Sequence, residues 1–107
     1  MVYIFDLDGT LCEEDGDFEC FITDEDWHEY YKYCTPMIDT ISQVRAMYSY
    51  GHRIIIHTSR RSQDFTVTKK WLEQHRVPFH ELILDKPRAD YYVDTNALRP
   101  EELLWEQ

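Results

Sequence analysis

The chain has 107 residues, the usual size of one domain, and none of its apolar runs approaches the about 20 residues needed to span a bilayer. Its formal net charge at pH 7 is −10, with twelve acidic side chains and one basic side chain in residues 1–39. Residues 52–88 instead hold eight basic and four acidic side chains. This balance argues against tight non-specific nucleic-acid binding, while a small phosphorylated substrate remains compatible with it. No signal peptide is predicted, so a cytoplasmic location without membrane attachment is the default expectation.

The first predicted elements are a strand, a loop and a helix. VYIFDL (2–7) is rich in β-branched and aromatic residues and too short for a helix, so it predicts a buried strand inside the sheet. Residues 12–34 show no clean period and predict a loop, with one or two helical turns in WHEYYKYC. A helix follows in TPMIDTISQVRAMYSYGH, with Thr35 as the N-cap and Pro36 in the first helical position. Its apolar face and its end are marked by Met37, Ile41, Val44, Tyr48 and Gly51.

The second half of the chain predicts further strands and helices. RIIIHT (53–58) is a continuous apolar run, as expected of a strand covered on both faces. A second amphipathic helix is marked by Phe65, Thr68, Trp71, Leu72 and His75. FHELIL (79–84) and ADYYVD (89–94) predict the third and fourth strands, and Pro100 begins a short final helix. The alternation predicts a single α/β domain over 1–107, a three-layer Rossmann-like parallel sheet flanked by helices.

Polar side chains follow each predicted strand, and the carboxyl ends of parallel strands share one crevice. In chain order they are Asp6, Asp8, Gly9 and Thr10; then Thr58, Ser59 and Arg60; then Asp85, Lys86 and Arg88; and finally Asp94, Thr95 and Asn96. Crowded carboxylates favour a hard divalent cation such as Mg²⁺, and a hydroxyl with an ammonium suits a phosphoryl group. One carboxylate could attack phosphorus, and a second, two residues along, could act as general acid and then base.

These motifs resemble those of the haloacid dehalogenase (HAD) superfamily. FDLDGTL matches the first family motif, hhhDxDGT; HTSR matches the second, DKP the third, and YYVDTNAL resembles the fourth, hhhDD. The resemblance covers nearly the whole chain. Large caps are absent from the pattern, because the insert at about 12–34 is long enough only for a flap. Within the superfamily the chain is similar to small phosphatases associated with surface-polysaccharide synthesis and to the phosphatase domain of polynucleotide kinase–phosphatases.

The resemblance implies a Mg²⁺-dependent phosphomonoester hydrolase that acts through an aspartyl-phosphate. Asp6 would be the nucleophile and Asp8 the general acid and base, while Thr58 and Lys86 would bind the transferring phosphoryl group. The Mg²⁺ ligands would be Asp6, Asp8 through its backbone carbonyl, and Asp94. Thr95 departs from the family pattern, which more often has a second Asp there, and this change would weaken metal binding.

Several assignments stay open on the sequence alone. Ser59 and Arg60 are further candidates for binding substrate phosphate, with a solvated pair of Arg60 and Arg61 as the alternative for the arginines. The cysteines are expected to be reduced thiols used in packing. A zinc site is the other interpretation, and its ligands would be Cys12, Cys20, His28 and Cys34.

The function also has alternatives. The preferred substrate is a small phosphorylated metabolite such as a sugar phosphate or nucleotide, and a polynucleotide end is the alternative. A catalytically weak protein that binds phosphate and Mg²⁺ is supported only by Thr95. A phospho-accepting receiver domain is disfavoured because no Asp precedes Thr58 in its strand. The sequence does not predict an oligomeric state.

Overall fold

The computed structural model describes residues 1–103, which form a small α/β fold around a three-stranded parallel sheet. The strands are β1 (Val2–Phe5), β2 (Arg53–His57) and β3 (Glu81–Ile83), in the order β1-β2-β3. The helices are α1 (Asp24–Tyr33), α2 (Ile38–Ser49) and α3 (Phe65–Gln74), with short 3₁₀ turns at Phe18–Cys20, Ser62–Asp64 and Pro100–Glu102. None of these helices is long and apolar enough to cross a bilayer.

One face of the sheet carries the core. Tyr3 is aligned with Ile54, and Phe5 with Ile56, so these side chains point to the same face of the sheet. Helices α2 and α3 cover this face, because two right-handed crossovers that progress in one direction lie on one side. Their buried contributions to the core are Ile41, Val44, Met47, Trp71 and Leu72.

The opposite face is largely open over residues 1–103. Val2 is 59% exposed, Ile4 62% and Ile83 43%. On the second strand, Ile55 and His57 of this face are half-buried, so the expectation that both faces of that strand would be covered is met only in part by the described residues. The expectation that the first strand lies inside the sheet is wrong for this part of the chain, since β1 pairs only with β2 there.

The predicted fourth strand is wrong, because residues 89–94 form no strand. The Tyr92 hydroxyl donates to the carbonyl of Pro87 at 2.5 Å, and the ammonium of Lys86 lies 4.4 Å from the centre of the Tyr92 ring. These contacts join Tyr92 to residues five and six positions earlier in the chain. The neighbouring side chains Tyr91 and Val93 are 82% and 99% exposed.

Three helix predictions also need correction. The predicted loop at 12–34 contains a ten-residue helix, α1, whose Thr23 cap accepts from the amide of Asp26. The N-cap of α2 is Met37, two residues after the predicted Thr35. The Thr35 carbonyl instead accepts from the amide of Glu13 at 2.8 Å. This hydrogen bond attaches the residues before α2 to the loop after β1. The final helix is a 3₁₀ turn as far as the structure describes it, and the rest of that prediction (104–107) lies outside the described residues.

The two faces of the sheet predict different responses to the same substitution. Ile56→Ala removes a fully buried side chain and should lower the free energy of unfolding by about 2–5 kcal/mol. Ile4→Ala, on the open face, should change it by no more than about 0.5 kcal/mol. Urea denaturation monitored by circular dichroism measures both. If Ile4→Ala lowered the free energy of unfolding as much as Ile56→Ala, the conclusion that the Ile4 face of the sheet is open would be wrong.

Candidate active site

The loop after β1 places two carboxylates on either side of a buried leucine. Leu7 is fully buried, and its carbonyl accepts from the amide of Leu11 at 2.8 Å. Gly9 has a φ of +84°, a conformation that residues with a Cβ rarely adopt, so the chain can turn sharply there. Asp6 and Asp8 are consequently held at half-buried positions at the carboxyl end of the sheet.

Burial dominates the electrostatics of Asp6. Loss of solvent raises the pKa of the Asp6 carboxyl above its usual value, and the charge of Asp8 adds to this effect. The amide of Leu7, which donates to Asp6 at 2.8 Å, and electrostatic interactions with Lys86 and His57 act in the opposite direction. Asp6 is thus a partly desolvated carboxylate with Lys86 as its cationic neighbour. His57, at the end of β2, also contributes to this environment.

Backbone hydrogen bonds join the loops after β2 and β3. The amide of Thr58 donates to the carbonyl of Ile83 and the amide of Lys86 donates to the carbonyl of Thr58, both at 2.9 Å. Thr58 is fully buried, and its hydroxyl oxygen accepts from the amide of Arg60 at 3.2 Å. Ser59 is half-buried beside it. The polar residues after the first three strands therefore meet at one edge of the sheet.

Arg60 occupies a different place from the one predicted. Its side chain is only 1% exposed, and it binds both carboxylate oxygens of Asp8. Nε donates to Oδ2 at 3.0 Å and Nη2 to Oδ1 at 2.8 Å. This bidentate, charge-assisted pair is among the strongest polar contacts available to an arginine. This burial conflicts with the prediction that Arg60 binds substrate phosphate. It also conflicts with the alternative that Arg60 is a solvated surface residue.

Other groups surround the Arg60 guanidinium. Nη1 donates to the Thr68 hydroxyl at 3.1 Å, and the ring of Tyr31 lies 3.8 Å from the guanidinium carbon. The sulfurs of Cys12 and Cys34 lie 3.8 and 3.6 Å from Nη2. Burial alone would lower the pKa of Arg60, but its hydrogen bonds to Asp8 and the negative charge there raise it, so the side chain stays charged.

The flap, residues 12–34, is attached to this cluster through its aromatic residues. The rings of Phe18 and Trp27 stack at 5.6 Å, and Trp27 contacts Tyr31 at 5.8 Å. Burial raises the pKa of the Tyr31 hydroxyl to about 12. His28 binds the buried Asp64 at 2.8 Å, which connects α1 to the start of α3. These aromatic rings pack mainly against one another and against Arg60.

Two of the predicted Mg²⁺ ligands, Asp6 and Asp8, lie in the loop after β1, and the third, Asp94, lies in the segment 89–94 that forms no strand. Asp94 is exposed, and its carboxylate accepts from the amide of Thr95 at 2.7 Å. Over residues 1–103, no group of three or more His, Cys, Asp or Glu side chains has the geometry to hold a metal ion. Glu14, which the sequence did not single out, lies beside the loop after β1. Burial raises the pKa of its carboxyl, and the charges of Asp8 and Asp6 add to the rise.

The residues of the alternative zinc site are dispersed. Cys12 and Cys34 are buried next to Arg60, whereas Cys20 is exposed and donates to Asp17 at 3.3 Å. His28 is engaged by Asp64. The zinc interpretation is therefore wrong for the described part of the chain.

The comparisons with known proteins find similar structures. A crystal structure of an MCSG target from Vibrio cholerae superposes with a TM-score of 0.71 and is 28% identical, over 94% of this chain and 85% of that one. A chain of the Pnkp1/Rnl/Hen1 complex superposes with a TM-score of 0.62 and is 19% identical, over 87% of this chain but only 30% of that one. No family model matches the sequence, and no curated protein matches it.

The raised pKa of Asp6 predicts a pH-dependent stability. A carboxyl with a higher pKa in the folded state favours folding below its unfolded pKa, and this contribution is lost as the pH rises through the folded value. The ionised Asp6 therefore costs stability at neutral pH, and Asp6→Asn should unfold at a higher temperature than the wild type at pH 7. The difference should shrink as the pH falls toward about 4.

Thermal denaturation at several pH values measures this difference. Glu73→Gln, on the exposed end of α3, is the control for loss of one negative charge. A lower unfolding temperature for Asp6→Asn at pH 7 would contradict the prediction.

Proposed function

We propose that the chain is a phosphomonoester hydrolase of the HAD type that acts through an aspartyl-phosphate on Asp6. The main support is the placement of Asp6 as a partly desolvated carboxylate with the positive charge of Lys86 nearby. Asp8 lies two residues further along, at the same end of the sheet. Desolvation makes a carboxylate more reactive toward phosphorus, and a neighbouring ammonium offsets the repulsion between two anions.

The proposed reaction has two steps. In the first step, an Asp6 oxygen forms a bond to phosphorus while the bond from phosphorus to the leaving oxygen breaks, and Asp8 gives a proton to that oxygen. In the second step, Asp8 takes a proton from water, and the water oxygen attacks phosphorus and releases phosphate from Asp6. Lys86 offsets the charge of the phosphoryl group throughout, and Thr58 provides a hydroxyl at the same edge of the sheet.

Mg²⁺ is part of the proposal, as a cation that would offset the negative charge of Asp6, Asp8 and Glu14. These carboxylates interact electrostatically, as the raised pKa of Glu14 indicates. Over residues 1–103, no group of three or more His, Cys, Asp or Glu side chains has the geometry of a metal site, and the Asp94 carboxylate accepts from the amide of Thr95. The steps above are therefore derived from the residues of the chain alone.

The substrate is proposed to be a small phosphorylated metabolite such as a sugar phosphate or a nucleotide, in a cytoplasmic setting. The net charge of −10 favours a small substrate over a long polyanion. A polynucleotide end is the second candidate, favoured by the structural similarity to a chain of the Pnkp1/Rnl/Hen1 complex.

Asp6→Asn should abolish hydrolysis of an aryl phosphate such as p-nitrophenyl phosphate, because the amide oxygen is a poor nucleophile toward phosphorus. The release of p-nitrophenol measures the rate, and circular dichroism verifies the fold of the variant. Glu73→Gln, which removes a carboxylate far from this loop, should retain wild-type turnover. Unchanged turnover in Asp6→Asn would exclude the proposed nucleophile.

EDTA should abolish turnover, and added Mg²⁺ should restore it, if a divalent cation completes the site. The same assay over a panel of sugar phosphates, nucleotides and a 3′-phosphorylated oligonucleotide distinguishes the two substrate candidates. Highest kcat/KM on the oligonucleotide would favour the second candidate. Full activity in EDTA would show that the metal is not required. Binding of phosphate without turnover on the whole panel would instead indicate a regulatory protein.

A further inference from the structure

We infer that Arg60 is a positioning residue that orients Asp8 for proton transfer and does not contact the substrate. This inference rests on the proposed phosphatase function. Its first support is the bidentate geometry of the Asp8 and Arg60 pair, with distances of 3.0 and 2.8 Å. Two parallel hydrogen bonds to one carboxylate fix its rotation as well as its position.

The guanidinium is itself held from several directions. The Thr68 hydroxyl accepts from Nη1 at 3.1 Å, and the Tyr31 ring covers one face of the guanidinium at 3.8 Å. The amide of Arg60 donates to the Thr58 hydroxyl at 3.2 Å, and its carbonyl accepts from the amide of Asp85 at 2.8 Å. Through these hydrogen bonds, Arg60 connects the loop after β1 to the loops after β2 and β3. A carboxylate attached to this rigid group keeps its orientation relative to Asp6 and Lys86.

The burial of Arg60 separates this role from phosphate binding. The side chain is 1% exposed, so a substrate phosphate would have to displace Asp8, Thr68 or Tyr31 to reach it. Asp8 is the more accessible member of the pair, with 21% of its side chain exposed. Substrate can therefore reach Asp8 while Arg60 supports it from behind.

The two roles predict different kinetics. If Arg60 positions Asp8, Arg60→Met should lower kcat by about 100-fold, the typical cost of a misplaced catalytic group, and leave the inhibition constant of inorganic phosphate unchanged. If Arg60 bound phosphate, that inhibition constant would rise. The control is Arg53→Met, which breaks an ion pair with Glu81 (3.1 Å) at the opposite end of β2 and should leave both parameters unchanged.

A double variant and a conservative variant exclude a merely structural effect. Arg60→Met added to Asp8→Asn should cause no further loss of kcat, because Arg60 acts through Asp8. Arg60→Lys keeps the charge but loses the bidentate contact, so kcat should fall while the phosphate inhibition constant stays unchanged. It also serves as the test if Arg60→Met does not fold, as judged by circular dichroism.

The outcomes separate the inference from the proposed function. Normal kcat in the Arg60 variants, a raised inhibition constant for phosphate, or additive losses in the double variant would each overturn the positioning role while leaving the phosphatase proposal intact. An inactive wild type, or an active Asp6→Asn variant, would overturn the phosphatase proposal and this inference with it.

Discussion

The buried ion pair of Arg60 with Asp8 is the interaction on which the rest of the candidate site depends. A guanidinium loses its hydration when it is buried, and the loss is offset only if its donors and its charge find partners. Asp8 supplies the charge, Thr68 accepts another hydrogen bond, and Tyr31 covers one face. Each partner comes from a different element, so α1, α3 and the loop after β1 must all be in place for Arg60 to be stable.

This requirement explains why an acidic insert packs closely beside an acidic site. Three of the four carboxylates of α1 (Asp24, Glu25 and Asp26) lie in its first turn, where negative charge favours the N-terminal end of the helix. Trp27, Tyr30 and Tyr31 are half-buried or buried, and the face of the Tyr31 ring lies against the guanidinium of Arg60, which binds Asp8. The flap is therefore part of the support of the site, and its net charge contributes little to that support.

The sequence predicted the helices and strands that are indicated by local patterns of apolar residues. It did not predict the features that depend on contacts between distant residues. The three observed strands and helices α2 and α3 follow from apolar runs and helical spacing. Helix α1 was readable too, since Trp27, Tyr30, Tyr31 and Cys34 have the spacing of a helix face; the surrounding acids obscured it. The burial of Arg60 was not readable, because arginines are mostly exposed and only the fold brings Asp8, 52 residues away, to its side.

The predicted fourth strand failed for a related reason. Tyr91, Tyr92 and Val93 have high β-propensity, but propensity does not supply a partner strand, and Tyr92 is engaged by Lys86 and Pro87 instead. The sheet and the hydrogen bonds between its loops hold four groups at one edge: Asp6, Asp8, Thr58 and Lys86. Asp94 lies in the exposed segment that follows these loops, and its carboxylate accepts from the amide of Thr95. The groups proposed for phosphoryl transfer are thus held by contacts between neighbouring loops, whereas Asp94 lies in the segment whose predicted strand did not form.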